Sequence, residues 1–409
     1  MKKICILTTS YPKWTERPNE FIQGKFVHDM AKSLVGAGCE VHVVTQHGEA
    51  TPGIEVRDGV HVHRFHYFLH QYETLTKGAG VPENIKKVRN LLLVPFFFGA
   101  LYVRAFKVTL KFGLDTINAH WGFPTAFIGV LLKLVTGRKL VTTLYGAELF
   151  PVTAGKMGYL RGFLSFAIKS SDLVAGISLA TVEAATQISG RRDIHVIPDG
   201  IDIDNYHPGN PNPELSRKYK LLSGKTVFFT GRMVERKGHF WLLKGFHQVL
   251  SDVPDARLIL GGDGPMRGEI EAYVRNNQLE SSVFLLGFLP EEDLVPILQN
   301  IDVYVLPSCV DKNGDTEGSA TAALEALACG CLVLVSRVGG NIGSIDGCPV
   351  AEYFAPSDPN DLAEKLKEQL LGGGRTESRT SSAREYIIRK YSWPHIVSEY
   401  LNRAKALGK

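Results

Sequence analysis

The chain has 409 residues, of which 44% are hydrophobic and 22% charged, an ordinary globular composition with room for two to three domains. The net charge of +4 is mild and no dense basic run is present, so nucleic-acid binding gains little support. The six cysteines form no CxxC pair. We therefore expect reduced, mostly buried thiols and a cytoplasmic protein.

The first block of the chain alternates short apolar strands with helical patterns. Residues 3–7 predict a buried strand, a polar loop runs from Thr8 to Gly24, and a helical pattern stops at Gly38 before a strand at 40–44. This order indicates the start of a doubly wound parallel sheet in an α/β domain. Further strands are predicted at residues 116–119, 139–143, 172–175 and 194–197.

Within this block, an apolar run from Leu91 to Val103 lies between basic residues. It is shorter than the roughly 20 residues that a membrane-spanning helix needs. Two interpretations stay open. The run is either a buried or half-buried helix of a large domain, or a basic, apolar surface that contacts an anionic membrane.

The segment from His61 to Tyr72 is rich in histidine and aromatic residues. Such a density of histidines suggests a metal, but their alternating spacing fits a strand followed by a loop better. We therefore predict no metal site.

A linker divides the chain, because residues 198–213 are rich in Pro, Gly, Asn and Asp. A second series of strands and helices follows it. Near the end of the chain, helical apolar spacing is broken at Trp393–Pro394, which predicts a long kinked helix that crosses back to the first domain. The strands of the second series are predicted at residues 226–230, 256–260, 283–286, 303–306 and 332–335. The predicted domains are residues 1–200 and 201–384, followed by the C-terminal helix at 385–409.

Two cations follow the first strand of the second series. Arg232 and Lys237 lie in the loop GRMVERKG. A loop at the carboxyl end of a parallel strand faces the ligand crevice, so these side chains can reach a diphosphate. The alternative is a surface loop with solvated charges, since Glu235 and Arg236 lie between the two cations. The loop GGDGP after the next strand lets backbone approach a ligand but is a weak signal, and neither block contains a GxGxxG fingerprint.

Two carboxylates, Glu317 and Glu325, stand on either side of a small-residue helix start. A carboxylate is a strong acceptor for the vicinal hydroxyls of a ribose or hexose, and the free N–H groups of a helix start favour phosphate. The alternative is an amphipathic helix with a glutamate on its wet face. The residues around Glu325 are mostly alanine and leucine, so we favour a role in ligand binding over a solvated helix face. A nucleotide sugar would engage both the cations, through its diphosphate, and the carboxylates, through its hydroxyls.

An ordered set of motifs runs through the whole chain. They are TTSYPKW, NEFIQGKFV, NAHWG and TLYGAEL in the first block, IPDGID in the linker, and GRMVERKG, GGDGP, LLGFLP, VLPS and EGSATAALE in the second block. With these motifs the chain resembles the retaining GT-B glycosyltransferases of family four. The resemblance implies two doubly wound, Rossmann-like domains that face a central cleft, with the acceptor on the first domain and the donor on the second.

The resemblance also implies roles for individual residues. Arg232 and Lys237 would hold the donor diphosphate, Glu325 the ribose and Glu317 the donor sugar, while His120 would lie beside the transferred sugar. The remaining donor contacts would be backbone or small-residue contacts at Gly24, Gly264, Leu289, Ser319 and Ala320.

Three departures from the family pattern affect the sugar and the acceptor rather than the diphosphate. Tyr145 stands where a histidine is usual, Asn341 follows the VGG element where a glutamate is usual, and Ser319 begins a run of small residues after Glu317–Gly318. The expected reaction is retaining transfer from a nucleotide-diphosphate sugar to a carbohydrate or lipid-linked acceptor, with no cofactor and no required metal. Cell-envelope polysaccharide or glycolipid synthesis at the inner face of a membrane is the expected setting.

Other readings stay open at this point. A sugar phosphorylase or a nucleotide-sugar epimerase on the same fold is a second enzyme class. A non-catalytic nucleotide-sugar-binding protein with a membrane-docking face is a different class, and an NAD enzyme is the weakest alternative because the fingerprint is missing.

Overall fold

The computed structural model describes residues 2–14, 24–48, 51–76, 84, 87–210, 212–221 and 225–406. The chain divides into two compact units. The first contains residues 1–177, 181–197 and 396–409, and the second contains residues 178–180 and 198–395. Residues 15–23 of the predicted first loop, including Gln23, and Lys86 beside the apolar run lie outside the described residues.

The first unit is built on an eight-stranded sheet. Its strands are β1 (Lys3–Leu7), β2 (Glu40–Gln46), β3 (Ile54–Arg57), β4 (Val60–Phe65), β5 (Thr116–His120), β6 (Lys139–Leu144), β7 (Leu173–Gly176) and β8 (Ile194–Val196). They lie in the order β3-β4-β2-β1-β5-β6-β7-β8, and among the described strands only β3 and β4 pair antiparallel. Residues Ile4 to Leu7 are all buried, because helices cover both faces of a doubly wound sheet.

Helices connect these strands. They are α1 (Lys25–Gly36), α2 (Val88–Leu91), α3 (Val94–Phe112), α4 (Phe127–Thr136), α5 (Gly146–Thr153), α6 (Arg161–Ser170) and α7 (Leu179–Ser189). The order of the sheet reverses between β1 and β5, so the loops after these two strands flank a switch point, where ligands of α/β sheets bind.

The apolar run forms most of α3 and is half-buried, as the first of the two interpretations expects. One face of α3 packs in the core through Phe97, Leu101 and Ala105, while Phe96 and Val103 are exposed. The histidine-rich segment is also a strand followed by a loop, as predicted, because β4 ends at Phe65.

The second unit contains a six-stranded parallel sheet. Its strands are β9 (Thr226–Thr230), β10 (Arg257–Gly261), β11 (Val283–Gly287), β12 (Val303–Leu306), β13 (Leu332–Ser336) and β14 (Ala351–Phe354). They lie in the order β11-β10-β9-β12-β13-β14. The order reverses between β9 and β12, which puts the loops after these strands at the switch point of this unit. The helices are α8 (Pro213–Lys218), α9 (His239–Val249), α10 (Arg267–Asn276), α11 (Glu291–Asn300), α12 (Thr321–Ala328), α13 (Pro359–Leu371), α14 (Glu377–Tyr391) and α15 (Trp393–Ala406).

The expected single kinked helix at the C-terminus is wrong in detail. Two helices, α14 and α15, are separated by Ser392, which is extended and forms a bridge with Ile201. Trp393 and Pro394 are the first residues of α15, since proline is tolerated in the first turn of a helix. From Ile396 onward, α15 belongs to the first unit.

Candidate active site

The loop after β9 places Lys237 beside the switch point of the second unit. Residues Glu235–Lys237 form a single 3₁₀ turn that ends at Gly238, where α9 begins. Gly238 has φ +71°, and a Cβ at this position would lie 1.8 Å from the carbonyl oxygen of Pro307. Only glycine fits there, and this contact fixes the turn that carries Lys237.

Glu317 receives three side-chain hydrogen bonds. Lys237 Nζ donates to Oε2 at 2.7 Å, Ser308 Oγ donates to Oε2 at 3.0 Å, and Arg236 Nη1 donates to Oε1 at 3.3 Å. The Glu317 side chain is 10% exposed and that of Lys237 16%. We call Arg236, Lys237 and Glu317 the cation–carboxylate cluster.

The charges of this cluster compensate one another. Burial by itself raises the pKa of Glu317, but the positive charges of Lys237 and Arg236 and the hydrogen bonds from Lys237 and Ser308 outweigh it, so the pKa lies below its ordinary value. Glu317 is therefore an anion at neutral pH. Lys237, which the sequence analysis assigned to a different part of the donor, contacts Glu317 directly.

Arg236 is the cation that sequence reasoning missed. It contacts Glu317 and also lies 3.4 Å from Asp315, whereas the predicted Arg232 is exposed and has no ion pair with any residue that the structure describes. The spacing of Asp315 and Glu317, two residues apart, was the sequence signal that could have revealed this arginine. In an extended segment, residues two apart point to the same side, so one arginine can reach both carboxylates.

The two glycine-containing loops after β9 and β10 are joined by backbone hydrogen bonds. Met233 N donates to Asp263 O at 2.9 Å, and Met266 N donates to Met233 O at 3.1 Å. A Cβ on Gly264 would lie 2.6 Å from Met233 O, so the glycine is required by this contact between loops. In the loop after β11, Leu289 is half-buried and packs against Gly261.

The start of α12 lies close to Glu317 in the chain. Ala320 is the N-cap, its side chain is fully buried, and no side chain caps the helix. Ser319 precedes it and accepts a hydrogen bond from Thr321 Oγ1 at 3.2 Å. Without a capping side chain, N–H groups of the first turn are available to an anion.

Glu325 is half-buried one turn into α12. Burial is the main cause that raises the pKa of the Tyr304 hydroxyl, and the charges of Glu325 and Glu317 add to it. Both predicted carboxylates therefore lie within electrostatic range of Tyr304, beneath the switch point. Cations, an uncapped helix start and carboxylates in one region match an anion that carries hydroxyl groups.

In the first unit, His120 ends β5 at the switch point and is 1% exposed. Its Nδ1 is 2.8 Å from the Tyr145 hydroxyl, and its Nε2 is buried without a hydrogen-bond partner among the described residues. Burial lowers the pKa of His120 to about 3, so the ring is neutral at physiological pH. Tyr145, which departs from the family pattern, thus orients the predicted histidine.

Glu148 lies in the same region, and the sequence analysis assigned it no role. Its Oε1 accepts from the backbone N–H groups of Tyr145 at 2.9 Å and Gly122 at 3.3 Å, and its Oε2 has no partner in the described part of the chain. Burial raises the pKa of Glu148 to about 7. We call His120, Tyr145 and Glu148 the neutral polar cluster.

Gly24 has a structural reason to be glycine. It precedes α1 with φ +77°, and a Cβ there would lie 2.3 Å from the carbonyl oxygen of Ser10. The close approach in the structure is to Ser10, and the predicted approach to donor phosphates stays a prediction.

Two family profiles match consecutive parts of the chain. The profile described as Glycosyl transferases group 1 matches residues 224–371, and the one described as Glycosyltransferase Family 4 matches residues 23–205. The chain belongs to the group 1 glycosyltransferases. The expected family and enzyme class are confirmed.

Relatives of this glycosyltransferase span most of its length. An uncharacterized glycosyltransferase of Methanocaldococcus jannaschii is 26% identical over 417 residues, covering 98% of this chain and 97% of that protein. The GDP-mannose-dependent monoacylated alpha-(1-6)-phosphatidylinositol monomannoside mannosyltransferase of Corynebacterium glutamicum is 27% identical, covering 68% of this chain and 73% of that protein.

A solved structure confirms the fold. Anabaena HepE in complex with UDP-glucose superposes with a TM-score of 0.71 at 18% identity, over 99% of this glycosyltransferase and 100% of that chain. Together with the two parallel-sheet units, this match confirms the expected GT-B fold. None of the helices that the structure describes has the length and apolar character needed to cross a bilayer.

Proposed function

We propose that this glycosyltransferase transfers a sugar, with retention of configuration, from a nucleotide-diphosphate sugar to an acceptor hydroxyl. The cation–carboxylate cluster at the switch point of the second unit carries the proposal. Lys237 Nζ has three donors and gives one to Glu317, which leaves donors for a diphosphate. The charge-assisted hydrogen bond to Glu317 holds this ammonium in position.

The donor class is supported by the relatives. HepE is described with UDP-glucose and the Corynebacterium enzyme is described as GDP-mannose-dependent. These two donors differ in both base and sugar but share the diphosphate, the ribose and the hexose hydroxyls. We assign Lys237, Arg232 and the helix start at Ser319 and Ala320 to the diphosphate. Glu325 is assigned to the ribose. Gly264 and Leu289 would flank the diphosphate and the base through the backbone.

The chemical step depends on charge that grows on the departing diphosphate. The cations and the N–H groups of α12 would stabilise this charge in the transition state. In the front-face route that the family resemblance implies, the leaving phosphate itself takes the proton of the acceptor hydroxyl. Glu317 would hold Lys237 against the phosphate and contact a hydroxyl of the donor sugar. This proposal needs no metal for the transfer step.

His120 has a different role in this proposal. A pKa of about 3 leaves its ring neutral, so it is a poor general base and a suitable neutral hydrogen-bond partner. Tyr145 contacts Nδ1, and Nε2, which has no partner among the described residues, would be available to a sugar hydroxyl. We propose that His120 binds the transferred sugar.

Thermal shift with a panel of nucleotide sugars tests the donor assignment, because a bound donor stabilises the folded state by mass action. We expect one donor to raise the melting temperature of the wild type. Lys237→Ala and Glu325→Ala should abolish this shift and lower transfer activity, by about 100-fold or more for Lys237→Ala. Lys244→Ala and Glu364→Ala change exposed side chains on α9 and α13 and serve as matched controls. Transfer activity near that of the wild type in both site variants would refute the assignment, and sugar 1-phosphate formed from free phosphate would indicate a phosphorylase.

We further propose that the acceptor is lipid-linked or an envelope polysaccharide precursor, used at the cytoplasmic face of a membrane. The exposed face of α3 presents Phe96, Val103 and Leu110 beside Lys107 and Lys111. Apolar side chains with basic neighbours suit an anionic lipid surface. The relative from Corynebacterium is described with a phosphatidylinositol-based acceptor.

Co-sedimentation with anionic liposomes checks this second proposal. Phe96→Ser with Lys107→Glu should release the protein from the vesicles. Leu134→Ser, at an apolar residue of α4 that is 72% exposed, is the matched control and should bind as the wild type does. Equal sedimentation of both variants, or none by the wild type, contradicts membrane contact through α3.

A further inference from the structure

Three histidines and a glutamate meet in the first unit, away from the residues assigned to the donor. They are His47, His66, His70 and Glu73, and one ligand atom from each lies within 4.8 Å of all the others. We call these four residues the histidine cluster. It is the one group of this kind among the described residues.

Strand register brings two of the four residues together. In the parallel pair of β2 and β4, Gln46 lies opposite Phe65, so His47 and His66 leave the sheet side by side. His47 N donates to Phe65 O at 2.8 Å, which fixes the level of the two residues. Their rings are stacked, with centroids 4.0 Å apart.

The segment after β4 supplies the other two ligands. His70 begins a short 3₁₀ turn at His70–Tyr72, and Glu73 follows it. Glu73 is buried, and its Oε1 accepts from the backbone N–H groups of Tyr67 at 2.6 Å and Phe68 at 3.3 Å. Those two bonds orient the carboxylate, so that Oε2 faces the histidines, 2.9 Å from His66 Nδ1 and 3.7 Å from His70 Nδ1.

Several observations make this cluster a candidate ligand set. The Nδ1 atom of His47 is buried and has no hydrogen-bond partner among the described residues. His66 and His70 both contact the same carboxylate oxygen, Oε2 of Glu73. A metal ion at their centre would satisfy the nitrogen lone pairs and the carboxylate together.

We propose that the histidine cluster binds a divalent transition metal, with zinc as the expected ion. Three imidazoles and one carboxylate form a four-ligand set of the kind that Zn²⁺ accepts in tetrahedral geometry, whereas Ca²⁺ and Mg²⁺ prefer oxygen ligands. Ligand atoms on one tetrahedral zinc lie roughly 3.4 Å apart, given bonds of about 2.0–2.1 Å. The cluster needs to contract by about 1.5 Å at most, which the exposed side chains of His66 and His70 allow.

The ion would join two loops at the carboxyl edge of the first sheet. His47 follows β2, and the other ligands follow β4, so the metal would fix residues 66–73 against the end of β2. This segment exposes Phe68, Leu69 and Tyr72. The site is a structural clamp for that loop, and it is independent of the metal-free transfer step proposed above.

Zinc binding by the full chain, with any affinity tag removed, tests the proposal. After treatment with a chelator and addition of Zn²⁺, gel filtration and elemental analysis should find one zinc per wild-type chain. The double variant His66→Ala with His70→Ala should retain none, and its Zn²⁺ affinity in competition with a chromophoric chelator should fall at least about 10-fold. His61→Ala, which removes a histidine from β4 outside the cluster, is the matched control and should keep its zinc.

Two further measurements keep the test decisive. Zn²⁺ should raise the melting temperature of the wild type and of His61→Ala but not of the double variant. If the double variant misfolds, the single variant His70→Ala replaces it. The His70 side chain is 59% exposed, so its removal should not disturb folding. The proposal is overturned if the cluster variants retain as much zinc as the wild type. It is also overturned if His61→Ala loses as much zinc as the cluster variants do.

Discussion

The cation–carboxylate cluster of the second unit and the neutral polar cluster of the first unit place polar groups inside the protein by opposite means. Glu317 stays charged because Lys237 and Arg236 compensate its burial. His120 and Glu148 have few partners, and burial shifts the pKa of each toward its neutral form. The cation–carboxylate cluster therefore depends on the presence of both charges, whereas the neutral polar cluster depends on shape, hydrogen bonds and pH.

The largest expected effect follows from removing one charge of the pair. Lys237→Ala leaves Glu317 buried without its closest cation, so we expect the free energy of unfolding to fall by about 3–5 kcal/mol and transfer activity to fall by about 100-fold or more. Chemical denaturation and initial rates with a saturating acceptor measure the two effects.

A double variant separates stability from function in this cluster. Lys237→Met with Glu317→Gln removes both charges together, so most of the stability should return while activity stays low. If the double variant is as unstable as Lys237→Ala, the ion pair is not the cause of the loss.

Next in size is the glycine that holds the turn of Lys237. Gly238→Ala combines a positive φ with a backbone clash, and we expect a loss of about 2–4 kcal/mol together with loss of donor binding. Gly137 is the matched control: its φ is +68°, but a Cβ there meets nothing within 4 Å. Gly137→Ala should cost about 1 kcal/mol, and equal losses in the two variants would show that the contact with Pro307 contributes nothing.

The neutral polar cluster should show itself in the pH dependence of stability. Burial raises the pKa of Glu148 from 4.5 to about 7, so between these values the unfolded chain has lost a proton that the folded chain keeps. Stability therefore falls as pH rises through this window, by up to about 3 kcal/mol.

The comparison of Glu148→Gln with the wild type isolates this contribution. Between pH 5 and 8, the unfolding free energy should fall less for the variant than for the wild type. The difference between the two losses should be at most about 3 kcal/mol. Glu183→Gln, at an exposed residue of α7, should follow the wild-type curve. Parallel curves for Glu148→Gln and the wild type would show that Glu148 has an ordinary pKa.

The smallest effect is expected for Tyr145→Phe. It removes the hydroxyl beside His120 Nδ1 without opening a cavity, so the unfolding free energy should fall by about 1–2 kcal/mol. Because the ring of His120 then loses its orientation, KM for the donor should rise more than kcat falls. Kinetics identical to the wild type would mean that Tyr145 does not position His120.

The fold was largely predictable because its strands are buried on both faces. Continuous apolar runs such as residues 3–7 and 226–230 have few other stable uses in a chain of this length. The short edge strands β3 and β14 were not predicted, since half-exposed edges lack that signal. The break between α14 and α15 was placed one residue late, because proline permits the first turn of a helix as well as a kink.

The sequence indicated which loops form the candidate site, but not which of their side chains contact one another. The loops after β9 and β12 are adjacent only through the order of the sheet, which the sequence does not give in detail. The three consecutive charged residues 235–237 contain no periodicity that tells which side chains turn inward, so the sequence did not show that Arg236 belongs to the site. The histidine cluster was missed for the same reason, because His47 meets His66 only through the register of two strands.

The assignment of α15 to the first unit has a consequence for synthesis on the ribosome. Ile396, Val397 and Tyr400 are buried, and Arg403 lies 2.8 Å from His195 of the first unit. The domain translated first thus lacks part of its core until the domain translated second has emerged, roughly 10–40 s later at about 5–20 residues per second. During that interval an apolar surface of the nascent chain stays open, and chaperones have the opportunity to bind it.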